Sequence, residues 1–410
     1  MRKLLPFLIL VLCLTVVSAC ADTTLMVVSD THFLAPELYE GSDLFLRAMA
    51  QGDGKVVQES PALLTALINQ TRRLHPDALI LTGDLVFNGE LKSHEWLAEG
   101  LQLLLDEGIQ VYVIPGNHDI NVQTARIFIG DTWTYAEQTR TAAFARIYKP
   151  FMKPLERADV GFSYTVDIGT NIRLFFLDCA IYEPMAYTNA IFDDALLEYT
   201  QDVLAKAHND GKQLISFSHH SLIPHSSLWQ ESFVIQPNQP LRDLLVSAQV
   251  PVHFSGHLHI QHISHDGIYD IASGAYSVFP HRYGLVTLSD DGTISYSAQP
   301  VDEDLLPDQF MSKSEAFFRD LTRSKSETNL AQLDIPEAEM ESMLDYAANL
   351  NVAYFSGALR ADDVDVWKSD ASYLLWKRYS DTVFFSQYVD LILSEASDDA
   401  LSLTLFTKAQ

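Results

Sequence analysis

Basic residues are scarce in this chain of 410 residues. It has 27 lysines and arginines against 54 aspartates and glutamates, which gives a formal charge of -27 at pH 7. Because duplex nucleic acids are bound largely through lysine and arginine contacts to phosphates, this composition excludes a nucleic-acid polymer as the expected partner. The length predicts one large domain and a smaller second unit.

Long apolar runs are also rare, and the main one lies at the N-terminus. Arg2 and Lys3 precede an apolar stretch over residues 4–17, and small residues then lead to Cys20. This order is typical of an export signal, and its ending resembles a bacterial lipobox, in which the cysteine is acylated after cleavage. We therefore expect residues 1–19 to be a lipoprotein signal peptide. A lipid on Cys20 would anchor the exported protein to the outer face of the bacterial cell membrane. An ordinary signal peptide cleaved at the same place is the alternative.

Cysteine is the third scarcity, with three in the chain. Cys13 would leave with the signal peptide and Cys20 would carry the lipid, so Cys179 has no partner for an internal disulfide. Cys179 follows an apolar run. We interpret it as a small buried hydrophobic residue rather than a nucleophile.

Six short apolar runs are present, and each ends on a polar residue. Runs of this length, separated by helix-length amphipathic stretches, are typical of buried parallel strands with crossover helices. Such sheets bind ligands at the carboxyl ends of their strands, so we expect the endings to share one crevice. One ending, Asp178, has no obvious ligand partner, and we expect it to support the metal ligands without binding a metal itself. The endings are Asp30, Asp84, Asn117, Asp178, His219 and His257.

The residues Gly116 to Asp119 form the most specific motif. Glycine lets the backbone approach closely, Asn117 offers a hard oxygen ligand, and His118 projects beyond it toward a substrate. A polar turn is the alternative interpretation. At another strand end, the carboxylate of Asp84 is suited to bridging two cations, which a neutral ligand does poorly.

Histidines supply most of the remaining candidate ligands. His257 and His259 stand at alternating positions, so in an extended segment both face the same side. Of the pair His219 and His220, we favour His219 because it lies nearest to the apolar run. Oxygen and nitrogen ligands without sulfur suit divalent or trivalent transition metal ions such as Mn, Fe or Zn. The predicted metal ligands are Asp30, His32, Asp84, Asn117, His219, His257 and His259.

The order of these motifs resembles the calcineurin-like metallophosphoesterase superfamily over roughly residues 22–290. Class III cyclic-nucleotide phosphodiesterases are a closer match, and a listerial surface phosphodiesterase with a C-terminal helical domain is closer still. The resemblance implies an α/β fold, a four-layer αββα double-sheet sandwich followed by a C-terminal α-helical domain. It also implies two ions that share one carboxylate. One ion would take Asp30, His32, Asp84 and His259, and the other Asp84, Asn117, His219 and His257.

Phosphodiesters are anionic and repel hydroxide, so their hydrolysis needs positive charge on the phosphoryl oxygens. The hypothesis is that a metal-bound hydroxide attacks phosphorus while His118 stabilises or protonates the departing oxygen. Asp119 would orient that imidazole or keep it charged. The catalytic residues predicted in this way are His118 and Asp119.

These observations predict a metal-dependent phosphodiesterase acting on small diesters such as cyclic nucleotides. A phosphomonoesterase, or a diesterase acting on phospholipids or wall polymers, is the first alternative. A non-catalytic binding lipoprotein of the envelope is the second, although every candidate ligand position is filled. We interpret Asn88, His94, Tyr182 and His281 as loop or packing residues rather than pocket residues.

Residues 20–300 form the predicted catalytic domain and residues 301–410 a helical domain. Helical patterns in the latter begin near Gln309, Pro336, Asp365 and Asp381. Their role is open between packing, substrate access and dimer formation, and the oligomeric state stays open with it. Within the catalytic domain we expect a loop over 33–59, helices over 60–74 and 92–107, an aromatic-rich insertion over 122–160, and hairpins over 162–178 and 284–296.

Overall fold

The computed structural model describes residues 22–50, 52–379 and 383–407. The predicted signal peptide and Cys20, the predicted acylation site, lie outside these residues. Within them, no helix combines the length and the apolar character needed to cross a bilayer.

The strands are numbered in chain order. They are β1 Thr23–Val28, β2 Ala78–Thr82, β3 Gln110–Ile114, β4 Arg126–Ile129, β5 Thr132–Tyr135, β6 Glu156–Arg157, β7 Tyr164–Ile168, β8 Ile172–Leu177, β9 Gln213–Ser218, β10 Val252–Ser255, β11 His262–His265, β12 Tyr269–Ala272, β13 Arg282–Leu288, β14 Thr293–Pro300 and β15 Ser402–Phe406.

The helices are numbered in the same way. They are α1 Asp43–Ala50, α2 Ser60–Leu74, α3 Leu91–Asp106, α4 Thr141–Ile147, α5 Asp194–Asn209, α6 Asn238–Ser247, α7 Phe310–Leu330, α8 Glu337–Phe355, α9 Val364–Ser369, α10 Ala371–Arg378 and α11 Phe384–Ser394.

Two sheets carry the six predicted strands. A six-stranded sheet has the order β15-β14-β13-β1-β2-β3, and a seven-stranded sheet has the order β11-β12-β10-β9-β8-β7-β6. The strands β1, β2 and β3 are parallel, as are β8, β9, β10 and β12. The six apolar runs are therefore strands, as predicted, with three in each sheet.

The two faces of β1 show how the layers form. Leu25 and Val27 lie in a core shared with Phe217 and Phe254 of the other sheet. Their neighbours Met26 and Val28 lie in a second core with side chains of α2 and α3. Successive residues of a strand point to opposite faces, so a continuous apolar run is buried on both sides. Helices α5 and α6 cover the outer face of the second sheet in the same way, which confirms the four-layer sandwich.

Both predicted hairpins are present. Strands β7 and β8 pair antiparallel around residues 169–171, and β13 and β14 pair around residues 290–292. The predicted helices over 60–74 and 92–107 correspond to α2 and α3. The insertion over 122–160 contains the separate β4-β5 hairpin, α4 and the short strand β6.

Three predictions need correction. The stretch 33–59 is not all loop, because it contains α1. The helical pattern over 365–379 is two helices, since the Asp370 side chain accepts a hydrogen bond from the backbone N–H of Ser372 and starts α10. The region 301–410 is not entirely helical, because β15 returns to pair with β14 at the edge of the six-stranded sheet.

Candidate metal centre

The predicted ligands gather at the carboxyl ends of β1, β2, β3, β9 and β10. Five of them have a left-handed backbone, which is uncommon outside glycine and is enriched in Asp, Asn and His. Such conformations cluster at functional sites, where the surrounding structure holds them in place. The φ angles are 55° for Asp30, 41° for His32, 49° for Asp84, 66° for His257 and 61° for His259.

Two glycines allow the loops to pack this tightly. A Cβ atom at Gly116 would overlap the carboxylate of Asp84, and one at Gly256 would overlap the side chains of Ser29 and Asp30. The sequence argument that glycine permits a close backbone approach is confirmed at Gly116, and the same holds at Gly256. Any larger residue there displaces a candidate ligand.

The buried histidines and aspartates form two groups that share one carboxylate. Asp30, His32, Asp84 and His259 make one group, and Asp84, His219 and His257 make the other. The two Asp84 oxygens face different groups, since Oδ2 lies 3.6 Å from His32 Nε2 and Oδ1 lies 3.3 Å from His219 Nε2. Asp84 is therefore shared by the two groups through different oxygens.

The other contacts complete both groups. His259 Nε2 lies 3.4 Å from Asp30 Oδ1 and 3.2 Å from His32 Nε2. Asn117 Oδ1 lies 3.1 Å from His219 Nε2, which places its amide oxygen in the second group. The structure thus brings together all seven predicted ligands in the two predicted sets. Their binding of metal stays a prediction.

The outward nitrogens of three histidines meet acceptors. His219 Nδ1 donates to the Thr82 carbonyl at 2.9 Å, and His257 Nε2 donates to the Ser232 carbonyl at 3.1 Å. His259 Nδ1 lies 3.2 Å from Asp53 Oδ2. Because these oxygens accept, the nitrogens facing them carry the protons. In the neutral ring the inward nitrogen then has the lone pair, which is the form that metal-binding histidines require.

The site also contains buried carboxylates that a cation would stabilise. Asp30 is buried, and its Oδ1 has no hydrogen-bond partner among the described residues. Burial acts to lower the pKa of His219, but the adjacent Asp84 carboxylate raises it to about 9. Buried carboxylates of this kind are stabilised by cations. The donor set therefore fits two transition metal ions.

His118 lies beside the two groups without belonging to either. Its backbone N–H donates to Asp84 Oδ1 at 2.8 Å. Its ring Nδ1 lies 2.8 Å from the Phe87 carbonyl and 3.1 Å from Asn88 Oδ1. The carbonyl fixes the proton on Nδ1, so Nε2 is the ring atom available to a substrate. The ring packs edge-on against His32, with centroids 5.0 Å apart.

Asp119 does not contact the His118 ring, which corrects the role expected for it. Its Oδ1 accepts from the backbone N–H groups of Leu85 and Val86, and its Oδ2 accepts from that of Gly116. The carboxylate therefore joins the loops that follow β2 and β3. Phe87 and Asn88, rather than Asp119, orient the His118 ring. Asn88 is therefore a site residue rather than a distant loop residue.

Residues 23–261 match the family described as calcineurin-like phosphoesterase. The chain belongs to this family. Residues 296–399 match the C-terminal domain of cyclic nucleotide phosphodiesterase, so the metallophosphoesterase domain is followed by a second recognised domain. The predicted resemblance is confirmed.

Two curated relatives are similar to this phosphoesterase. A probable cyclic nucleotide phosphodiesterase of Moraxella catarrhalis is 25% identical over 49% of this chain and 64% of its own length. One of Ruthia magnifica is 26% identical over 32% of this chain and 56% of its own length. The matches therefore span less than two thirds of either relative. The solved structure of a dimetal phosphatase from Danio rerio is 15% identical, with a TM-score of 0.49, over 68% of this chain and 96% of that chain.

Two residues of the phosphoesterase site were missed in the sequence. Asp53 holds His259, and Lys55 Nζ lies 3.2 Å from the same Asp53 oxygen. The Lys55 side chain is 10% exposed, and its backbone forms a bridge with Val278. Both residues lie in the stretch expected to be loop, and no motif marks them. Their only sequence signal is a polar pair beside Gly54.

The remaining candidates of the phosphoesterase lie outside both groups. His220 donates to the Thr188 carbonyl at 2.7 Å, which agrees with the choice of His219 as the ligand. Asp178 accepts from Tyr182 at 2.7 Å, and burial raises the pKa of Asp178 to about 6. His94 and His281 are buried and hydrogen-bonded within the fold, as expected of packing residues.

Proposed function

We propose that this phosphoesterase hydrolyses small phosphodiesters, such as cyclic nucleotides, with two transition metal ions. One ion would be held by Asp30, His32, Asp84 and His259, and the other by Asp84, Asn117, His219 and His257. The observation that carries the proposal is the position of Asp84, which faces both groups. Its Oδ2 lies 3.6 Å from His32 Nε2, and its Oδ1 lies 3.3 Å from His219 Nε2. Shared carboxylates of this kind hold paired ions close together.

When bound, two such ions withdraw charge from the phosphoryl oxygens and make water available as a nucleophile near neutral pH. The side chains of the protein would hold the substrate and protonate the leaving group. The His118 ring packs against His32, and Phe87 and Asn88 hold its Nδ1, so Nε2 is the ring nitrogen left for the substrate. In the proposed reaction His118 would act in its imidazolium form, with a proton on each nitrogen: the Nε2 proton would pass to the departing oxygen, and the Nδ1 proton would stay hydrogen-bonded to the Phe87 carbonyl.

Lys55 would add a positive charge at the same place. Its ammonium is bound to Asp53, which also holds His259, so the charge is fixed beside the first group. Lys55 also acts electrostatically on both His32 and His118. A phosphoryl oxygen of the bound ester would meet this ammonium as well as the ions.

The choice of a diester is supported by the curated relatives, whose names include cyclic nucleotide phosphodiesterase, and by the match of residues 296–399. The formal charge of -27 favours a small substrate over a polyanion such as a wall polymer. A phosphomonoesterase and a phospholipid diesterase are the competing activities.

The test is a parallel assay of the manganese-loaded protein on bis-p-nitrophenyl phosphate, p-nitrophenyl phosphate, cyclic nucleotides and glycerophosphodiesters. We expect the highest kcat/KM on a small diester. Asp84→Asn should lose both ions and all activity, whereas Asp106→Asn, a surface substitution on α3, should lose neither. A strong preference for the monoester would overturn the diesterase proposal.

The proposed location is the outer face of the membrane, with a lipid on Cys20. The sequence motif that ends at Cys20 is its support. A Cys20→Ala variant should appear in the soluble fraction of cells and take up no labelled lipid. The proposal fails if this variant still partitions with membranes.

A further inference from the structure

The loop between β9 and α6 covers residues 219–237. It lies between the group of Asp84, His219 and His257, called here the second metal group, and the C-terminal helical region, called here the tail. We propose that the C-terminal helical region keeps the ligand His257 in its metal-binding orientation by holding this loop. The inference rests on the proposed metal centre and assigns the tail a part in it. Metal retention would then depend on residues remote in the sequence from every metal motif.

The outer part of the loop is fixed by one carboxylate of the tail. Glu395 follows α11, and its Oε1 accepts hydrogen bonds from Ser226 Oγ at 3.0 Å and from Ser227 N and Oγ at 2.8 and 3.0 Å. Its Oε2 accepts from Tyr354 of α8 at 2.6 Å. Hydrogen bonds to a charged acceptor are the stronger kind. Glu395 therefore connects two tail helices to the loop.

A line of aromatic rings runs from the tail to the metal group. Tyr388 of α11 packs edge-on against Trp229 with centroids 6.2 Å apart, and Trp229 lies 6.1 Å from Phe233. Phe233 lies 4.9 Å from the ring of His257. Trp229 also packs against the apolar core of the helical region. The contact is continuous from that core to the ligand.

The inner part of the loop sets the His257 ring directly. The Ser232 carbonyl accepts from His257 Nε2 at 3.1 Å, and the Phe233 carbonyl accepts from Ser221 N at 3.2 Å. The first bond holds the proton on Nε2 and leaves Nδ1 for a metal. If the loop shifts, His257 loses both the acceptor that fixes its tautomer and the ring that limits its rotation.

The first metal group has separate supports. His259 is held by Asp53, and the backbone N–H of His257 donates to Asp30 Oδ2 at 3.0 Å whatever the direction of its ring. Loosening the loop should therefore weaken one ion and spare the other. Loss of an outer partner of a metal-binding histidine typically weakens affinity 10- to 100-fold.

The experiment is a calorimetric titration of the metal-free full-length protein with Mn²⁺. Glu395→Gln should weaken one of two binding steps by about 10- to 100-fold and leave the other unchanged. Trp229→Leu should give the same pattern without touching the carboxylate. Saturating Mn²⁺ should restore the activity of both variants.

The matched control is Asp390→Asn, also on α11, whose partners Tyr373 and Lys377 lie within the helical region. It should lower the melting temperature of the metal-free protein without altering either binding step. Unchanged binding in both Glu395→Gln and Trp229→Leu would overturn the inference, as would equal weakening of both steps. If the unsubstituted protein bound no Mn²⁺, the proposed function itself would fail, which is a distinct outcome.

Discussion

Three of the four ligand imidazoles, those of His219, His257 and His259, are directed by the group behind them. Thr82, Ser232 and Asp53 each receive the outward nitrogen of one histidine, and the inward nitrogens then converge on Asp84 and Asp30. Asp119 shows why neighbours in sequence need not cooperate: its carboxylate is used by three backbone N–H groups and cannot also reach the ring of His118. The tautomer of each of these histidines decides which ring nitrogen can bind a metal, and it depends on residues that lie outside the sequence motifs.

We expect His118→Ala to keep both ions and lose turnover. The backbone N–H that donates to Asp84 remains in this variant, so the ligand geometry is retained. General acid catalysis typically contributes about 10² to 10⁴ in rate, and kcat should fall by that factor. Metal content per chain and kcat on a diester test this. His208→Ala, an exposed substitution on α5, is the control, and an undiminished kcat in His118→Ala would exclude this residue from the reaction.

Lys55→Met should raise KM or lower kcat while metal content is unchanged. The ammonium contacts Asp53 rather than a ligand atom, so its loss removes charge from the substrate side of the site. A charge-assisted hydrogen bond contributes about 1.5 to 3 kcal/mol, or roughly 10- to 150-fold in kcat/KM. Lys55→Arg should recover part of this, and Lys92→Met on the exposed face of α3 should have no effect. Equal kcat/KM in Lys55→Met and the unsubstituted enzyme would assign Lys55 to packing alone.

At the scale of elements, the parallel strands were the most predictable part. Their apolar runs are buried on both faces, and their polar endings mark one edge of each sheet, so the sequence located the strands and brought the seven ligands together. The pattern did not predict how the strands divide between two sheets, because that depends on side-chain packing across the interface. Helix α1 and strand β15 were missed because each is short and gains its stability from tertiary contacts.

Deletion of residues 401–410 should destabilise the whole sheet rather than trim a loose end. Leu401, Leu403 and Leu405 pack against the core between the sheets, and their loss should cost on the order of 3 kcal/mol. The deletion also leaves β14 with an unpaired edge, which favours aggregation. Thermal unfolding and light scattering measure the two effects. Phe406→Ala, on the exposed side of β15, should behave like the unsubstituted protein, and an unchanged melting temperature after deletion would refute the structural role of β15.

At the scale of the whole molecule, carboxylates dominate the response to pH. The chain carries a formal charge of -27, and most acids lie at the surface, where solvent screens them. Glu90 is an exception, because it is buried and its Oε1 has no hydrogen-bond partner among the described residues. Its Oε2 accepts from the backbone N–H of Asn88, beside His118. Burial raises the pKa of Glu90 from 4.5 to about 7.

Glu90→Gln should therefore flatten the pH dependence of stability between about pH 4.5 and 7. In this window the folded protein holds a proton on Glu90 that the unfolded chain has released, so the free energy of unfolding falls as pH rises. The difference between variant and parent should approach about 1.4 kcal/mol per unit of pKa shift. Urea unfolding at several pH values measures it. Glu99→Gln, exposed on α3, corrects for general charge effects, and parallel stability curves for Glu90→Gln and the parent would contradict the prediction.

The position of β15 has a consequence for biogenesis. Strands β1 and β15 belong to one sheet, so the first strand to be synthesised waits for almost the whole chain before its sheet is complete. Contacts this distant in sequence slow folding, and incomplete sheets are prone to pair with other chains. If the protein is exported unfolded, as the proposed signal peptide implies, it passes this stage outside the cytoplasm. Its yield would then depend on extracytoplasmic chaperones that protect the growing edge until residue 406 arrives.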